Sequence, residues 1–217
     1  MNKILIITAG HEFEPSFYKI FDSFEDIQYD TISQPKFNER IKDNITDKYN
    51  ALIFYDMWQE INQAEKKAFI EMINRGKGIV FLHHSLVSYQ HWDEFEKIIG
   101  GKYIEKDFYD DPNIQGSTYI EDIPMEIKVV DKNHPVTRGV NDFSINDEGY
   151  QNIKMSPGIH PLLSVSHPNC TAIIGWTNSY GKSNIVYILL GHGYQAYENE
   201  NYRKLIYNSI NWVAEIK

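Results

Sequence analysis

Between residues 3 and 99, short β-rich runs alternate with amphipathic stretches, and this rhythm restricts the fold more than any other feature of the chain. Parallel strands need a long crossover between them, and a helix is the usual crossover, so the alternation signals βαβ units and a parallel sheet. Lys3–Thr8 reads as the first strand, and Phe13, Phe17, Ile20, Phe21 and Phe24 mark a helix over Phe13–Phe24. Ile27–Thr31 is a second strand, followed by a polar stretch. Ala51–Tyr55 is a third strand, Ala64–Asn74 a helix and Ile79–Leu82 a fourth strand. Arg75-Gly76-Lys77-Gly78 places glycine and basic side chains where the last helical carbonyls need partners. A further helix, Asp93–Ile99, stops at Gly100-Gly101.

The rhythm breaks at Lys102. Tyr103–Tyr150 carries Asp-Pro and Asn-His-Pro turns around an alternating strand at Met125–Val130. This stretch is expected to be an irregular or antiparallel excursion lying over the carboxyl-end face of the sheet. Leu162–Ser166, Ala172–Thr177 and Asn184–Leu190 follow as strands, with Tyr180-Gly181-Lys182 as a hairpin turn. The last strand is expected to join the first four in the parallel core, and a helix over Asn201–Glu215 to pack back on it. We expect one domain over residues 1–217.

The net charge of −9 argues against nucleic acid as a partner, because lysine and arginine supply most of the affinity for phosphate backbones. No run approaches the ~20 apolar residues of a membrane span. The start, MNKILIITAG, lacks the pattern of a signal peptide. With the single cysteine, Cys170, these features point to a cytoplasmic protein. Fifteen tyrosines and four tryptophans suit sugar ligands, cores and interfaces, including those of a homo-oligomer.

Open α/β sheets bind ligands beyond the carboxyl ends of their strands. The exits here are Thr8-Ala9-Gly10-His11-Glu12, Asp56-Met57-Trp58, His83-His84-Ser85 and Gly191-His192-Gly193. Histidine at several of them marks a shared pocket. Because neighbours in a strand point to opposite faces, no more than one of His83 and His84 is expected in that pocket. His91, His160 and His167 sit in polar or turn contexts and read as surface residues. Asn146-Asp147-Glu148-Gly149-Tyr150 adds carboxylates that could work with histidine in proton transfer, or form a solvated acidic turn. Imidazole and carboxylate also suit a divalent metal such as zinc, iron or manganese, although no His-Glu-x-x-His motif is present.

Other chemistries lack their motifs. Gly181-Lys182-Ser183 precedes a strand, whereas a phosphate-binding loop needs a helix N-terminus. No Gly-x-Ser-x-Gly or Gly-x-Cys-x-Gly elbow follows the fourth strand, and Cys170 reads as a small buried hydrophobe.

Several stretches together resemble the ThuA-like family, a branch of the class I glutamine amidotransferase-like fold. Gly76–His83 followed by Trp92, Phe95 and Ile99-Gly100-Gly101 is similar to the segment in which a histidine ends the fourth strand. His134-Pro135-Val136-Thr137-Arg138-Gly139-Val140, Phe143 and Asp147-Glu148-Gly149-Tyr150 resemble the family's "His-Pro-Ile-Thr-x-Gly … Asp-Glu-x-Tyr" stretch. Tyr180-Gly181-Lys182, Gly191-His192 and the Trp212 helix resemble its C-terminal signature. Lys106 departs from the pattern, standing near where a histidine is expected. The resemblance implies a flavodoxin-like, mostly parallel sheet flanked by helices, no glutaminase activity, and a role with disaccharides or 3-keto sugars.

Two functions fit this reading. One is an enzyme that hydrolyses or isomerises a small-molecule sugar. His83, His192 and Glu148 would then be catalytic, and His11, Glu12, Asp56, Trp58 and Tyr150 would bind substrate, with His11 and Glu12 also candidates for a metal. The other is a non-catalytic sugar-binding or partner-binding module on the same scaffold.

Overall fold

The computed structural model describes residues 1–215. In chain order its elements are β1 (Asn2–Ala9), α1 (Lys19–Asp22), β2 (Ile27–Ser33), α2 (Lys36–Arg40), β3 (Ala51–Asp56), α3 (Gln63–Asn74), β4 (Gly78–Leu82) and α4 (Asp93–Ile99). Then come β5 (Gly101–Lys102), β6 (Thr118–Val129), β7 (Phe143–Gln151), β8 (Lys154–Met155), β9 (His160–Val165), β10 (Ile173–Tyr180), β11 (Ser183–Ile188), α5 (Tyr194–Glu198) and α6 (Glu200–Ala214).

Nine strands form one sheet in the order β2-β1-β3-β4-β11-β10-β9-β6-β7. The first five are parallel, as expected from the sequence, and the rest are antiparallel. β5 and β8 pair separately. Every residue of β3, β4 and β11 is buried. Strands covered on both faces are expected to lack polar alternation, and β3 shows why. Phe54 packs on Phe37 and Phe69 on one face, while Tyr55 packs on Phe17 and lies hydrogen-bonded to Tyr197 on the other. Leu205, Ile206, Ile210 and Val213 form the buried side of α6. A Cβ at Gly78 would stand 1.9 Å from the Val213 carbonyl oxygen, so only glycine lets α6 lie this close to β4.

The structure differs from the sequence reading at two elements. The helix expected over Phe13–Phe24 is a 3-10 turn at Pro15–Tyr18 followed by the one-turn α1. Pro15 holds Glu14 extended, which denies helical backbone to the residues before it. Phe13 and Phe17 instead join an aromatic cluster with Tyr55. The polar stretch before β3 contains α2, whose Phe37 side chain is fully buried.

The excursion is two long antiparallel strands, β6 and β7, with Met125–Val129 continuing a strand that starts at Thr118. Although β7 ends the sheet order, its residues Glu148 and Tyr150 contact His83 at the exit of central strand β4. The antiparallel half therefore curls back over the carboxyl ends of the parallel half. No helix among the described residues is long and apolar enough to cross a membrane.

Candidate functional site

β4 and β11 are parallel neighbours, so their carboxyl ends open side by side, delivering His83 and His192 to one place. The chain turns sharply after Leu82 into a 3-10 turn over His83–Val87, and His83 itself takes a left-handed backbone with φ +48°. Few non-glycine residues adopt that region, and such strain concentrates at functional sites. The turn is held by Tyr187, whose hydroxyl donates to the His83 carbonyl at 3.0 Å. It also breaks strand alternation, and of the two histidines it is His84, not His83, whose ring lines the cavity. His83 reaches Glu148 and His192, while His84 lines the cavity and stacks on His11 at 4.6 Å between ring centroids.

At the centre, His83 Nε2 lies 2.9 Å from Glu148 Oε2 and 3.3 Å from His192 Nδ1, and His192 Nδ1 lies 3.4 Å from Glu148 Oε2. His83 Nδ1 is 2.6 Å from the Leu189 carbonyl oxygen. A carbonyl only accepts, so Nδ1 carries a proton and fixes the tautomer. The Tyr150 hydroxyl is 3.2 Å from His83 Nε2. Burial pushes its titration well above that of an ordinary phenol, so it remains a hydroxyl.

Burial acts to raise the Glu148 carboxyl, but hydrogen bonds from His192 and His83 and their charge outweigh it and hold the group well below the usual carboxylate range. The same Glu148 hydrogen bond raises His192 against the effect of its partial burial. His84 moves the other way. Burial, followed by the nearness of His83 and His11, lowers it well below an ordinary imidazole, so it is neutral, and apart from a weak approach to the Tyr55 backbone neither ring nitrogen makes a well-formed hydrogen bond.

Asp147, buried beside Glu148, accepts from the backbone amides of Gly191 at 2.7 Å, His192 at 3.0 Å and Glu148 at 2.9 Å. Tyr55 adds a bond from its hydroxyl to the Gly191 carbonyl at 2.6 Å. On the β1 side, a Cβ at Gly10 would stand 2.0 Å from the Met57 carbonyl oxygen, and φ there is +82°, so glycine is needed to bring the His11 loop against the exit of β3.

The cavity over this centre has a volume of about 240 Å³. His11, His84, Glu148, Tyr150 and His192 line it, joined by Met57 and Val87 and, from the excursion, Tyr103, Glu105, Tyr119 and Glu121. Lys106, where a histidine was expected, is exposed and outside the lining, and Glu105 beside it faces the cavity. A hollow of about 840 Å³ beside β2 is larger, but no histidine lines it and its Asp30 is taken up by Lys3 and Lys48. The histidines and Glu148 converge at the smaller one.

Three sequence candidates stand apart from this cavity. Asp56 is buried below it, where its Oδ2 accepts from Gln34 at 3.1 Å. Met57, the next residue, lines the cavity in its place. Trp58 turns its indole N–H onto the Glu60 carbonyl at 3.0 Å, and Glu12 is exposed on the outer loop. None of the three, expected from the sequence to bind substrate, lines this cavity. Conversely, His84 and Asp147 were not singled out, although the adjacent carboxylates at 147 and 148 were the available signal.

His83 Nε2, His192 Nδ1 and Glu148 Oε2 are the one group among the described residues whose ligand atoms could together hold a metal ion. Cys170 is buried, and desolvation pushes its thiol up to about 11. Ser85 Oγ lies 2.8 Å from each of the Phe54 and Leu82 carbonyl oxygens, locked in the backbone. Neither is placed as a nucleophile.

The sequence model of the ThuA family, described as trehalose utilisation, matches residues 3–213. The chain belongs to the ThuA family. A ThuA-like protein from Parabacteroides merdae superposes with a TM-score of 0.81 at 17% identity, over 99% of this chain and 90% of that one. One from Bacteroides uniformis gives 0.71 at 21% identity, over 98% and 91%. A β-galactosidase from G. stearothermophilus matches all of this chain with only 30% of its own, at a TM-score of 0.63 and 14% identity. These likenesses establish the ThuA-like α/β fold, with its large, mostly parallel sheet flanked by helices. No functionally curated protein matches the sequence.

Proposed function

We propose that the chain is an enzyme of carbohydrate utilisation that hydrolyses or isomerises a neutral sugar, a disaccharide or a keto-sugar. His83, His192 and Glu148 form its reaction centre. The observation that carries this reading is the convergence of two imidazoles and a carboxylate within 3.4 Å at the floor of a tyrosine-lined cavity. Such groups move protons to and from sugar oxygens or the carbon beside a keto group. Burying them costs folding free energy, and a module that only bound sugar could rely on aromatic faces and half-exposed hydrogen bonds instead.

The lining also favours a substrate class. It contains Glu105, Glu121 and Glu148 and no lysine or arginine, so it repels phosphorylated and uronic sugars. Its volume of about 240 Å³ is below the ~300–1,000 Å³ of pockets that engulf drug-sized ligands. It suits one sugar ring, with a second ring lying outward along the exposed Tyr119. The family's description as trehalose utilisation supports a carbohydrate ligand.

The test is a panel of neutral disaccharides and their 3-keto derivatives, assayed for product and for binding. Turnover that depends on His192 supports the enzyme. Saturable binding without product from any sugar would favour the binding module.

A further inference from the structure

We propose that His83 Nε2, His192 Nδ1 and Glu148 Oε2 bind one divalent transition-metal ion of the zinc type at the floor of the cavity. The proposal rests on the reading of these residues as the reaction centre, and it changes what they do there.

The spacing is that of a ligand set. The three atoms form a triangle with edges of 2.9, 3.3 and 3.4 Å. An ion holding nitrogen and oxygen ligands tetrahedrally at ~2.0–2.2 Å keeps them roughly 3.3 Å apart. Two imidazoles with one carboxylate suit zinc, iron(II) or manganese(II), while calcium and magnesium prefer all-oxygen sites.

Proton inventory points the same way. His83 Nδ1 spends its proton on the Leu189 carbonyl, so Nε2, which donates to Glu148 when the ring is charged, presents a lone pair to the centre when the ring is neutral and an ion takes the place of that proton. His192 Nδ1 and Glu148 Oε2 face the same point. One proton can bridge a single edge of the triangle, whereas one cation satisfies all three lone pairs. The Leu189 carbonyl is also the kind of outer partner that orients a metal-ligating histidine.

A separate observation comes from His84. Its ring is buried, it lines the same cavity, and neither nitrogen makes a well-formed hydrogen bond, the Tyr55 backbone offering only a weak one. Unpartnered buried polar atoms are rare in native folds and mark a missing water, ion or ligand. A water in the ion's open position, or a substrate oxygen replacing it, would give His84 a partner. The three side chains would hold the ion as ligands, and a zinc ion there would supply a bound water acidic enough to move protons near neutral pH.

The surface holds an internal control. His160 Nε2 pairs with Asp131 at 2.9 Å, and the nearby His134 uses Nδ1 to accept from the Val136 amide. This half-exposed group offers no comparable convergence.

The experiment is titration of chelator-stripped full-length protein with Zn²⁺ by calorimetry, and with Co²⁺ by visible absorption. The expected result is one ion per chain, cobalt bands of a low-symmetry site, and at least ~100-fold weaker binding in His192→Ala and Glu148→Gln, beyond the loss usual for an outer-shell partner. His160→Ala should bind as the parent does. The His192 side chain is 31% exposed, so stripped His192→Ala should unfold near the parent temperature. Absence of saturable Zn²⁺ and Co²⁺ binding overturns the proposal, as does binding that survives both site substitutions and is lost in His160→Ala. Turnover that persists in chelator and still requires His192 would remove the ion and leave the reaction centre standing. Stoichiometric binding with turnover indifferent to His192 would leave the ion and remove the reaction centre.

Discussion

Asp147 holds His192 by its main chain: carboxylate Oδ1 accepts from the His192 amide at 3.0 Å and Oδ2 from the Gly191 amide at 2.7 Å. One buried side chain thus fixes the loop after β11 against the strand that carries Glu148. Asparagine has one oxygen where aspartate has two, and its amide group would face a backbone N–H. Asp147→Asn should lower stability by ~1–3 kcal/mol through the unpaired buried donor. Denaturant unfolding measures that cost, and loss of turnover beyond the destabilisation, seen in kcat at temperatures where the variant is fully folded, shows that His192 has moved.

Asp56 makes a prediction about pH. Burial pushes its carboxyl up to about 7 against the Gln34 hydrogen bond, from an ordinary value of 3.8. Between these values the folded chain keeps a proton that the unfolded chain has released, so this group's contribution falls as pH rises, by up to about 1.4 kcal/mol per pH unit. Asp56→Asn keeps an acceptor for Gln34 and removes the titration. The variant's gain in melting temperature over the parent should therefore grow from pH 4.5 to 7.5 and level off above. A gain independent of pH would mean that Asp56 does not titrate there.

Charge in the cavity predicts selectivity. Neutral disaccharides and keto-sugars should bind, and matched sugar phosphates or uronates should bind at least ~10-fold more weakly, equivalent to ~1.4 kcal/mol of repulsion. Glu121→Gln should narrow that gap. Equal affinity for charged and neutral sugars would place the substrate elsewhere.

No ammonia release from glutamine is expected above background. The elbow after β4 carries His83, the Ser85 hydroxyl is taken up by backbone carbonyls, and Cys170 has its thiol pushed up to about 11 by burial. Release blocked by a thiol reagent would contradict this account.

Much of this site could be read before any coordinates. His11, His83 and His192 follow strands whose apolar runs are plain in the sequence, and the carboxyl-end rule places such residues together. Glu148 and Tyr150 were legible as a carboxylate pair beside a tyrosine and again through the resemblance, although neither could give their distance to His83. That distance comes from the curl of the antiparallel half, which no local pattern encodes. Alternation allowed one of His83 and His84 to face the cavity but could not say which, and the left-handed turn at His83 turns His84 into the lining while His83 reaches Glu148 beneath it. Asp56 and Met57 show the same limit in reverse, since sequence marks the strand exit but not which of two adjacent side chains faces the cavity.

The central claim is that His83, His192 and Glu148 are the reaction centre, and the most direct measurement is turnover of a neutral disaccharide or keto-sugar by His192→Ala, paired with its thermal unfolding. His192 is partly exposed and its backbone is held independently by Asp147, so the fold should survive the substitution. The account predicts a fall in kcat of ~10²–10⁴-fold with a melting temperature close to the parent's, while His167→Ala, in a turn before Pro168, changes neither. Unchanged turnover in His192→Ala, with or without a lowered melting temperature, would contradict it.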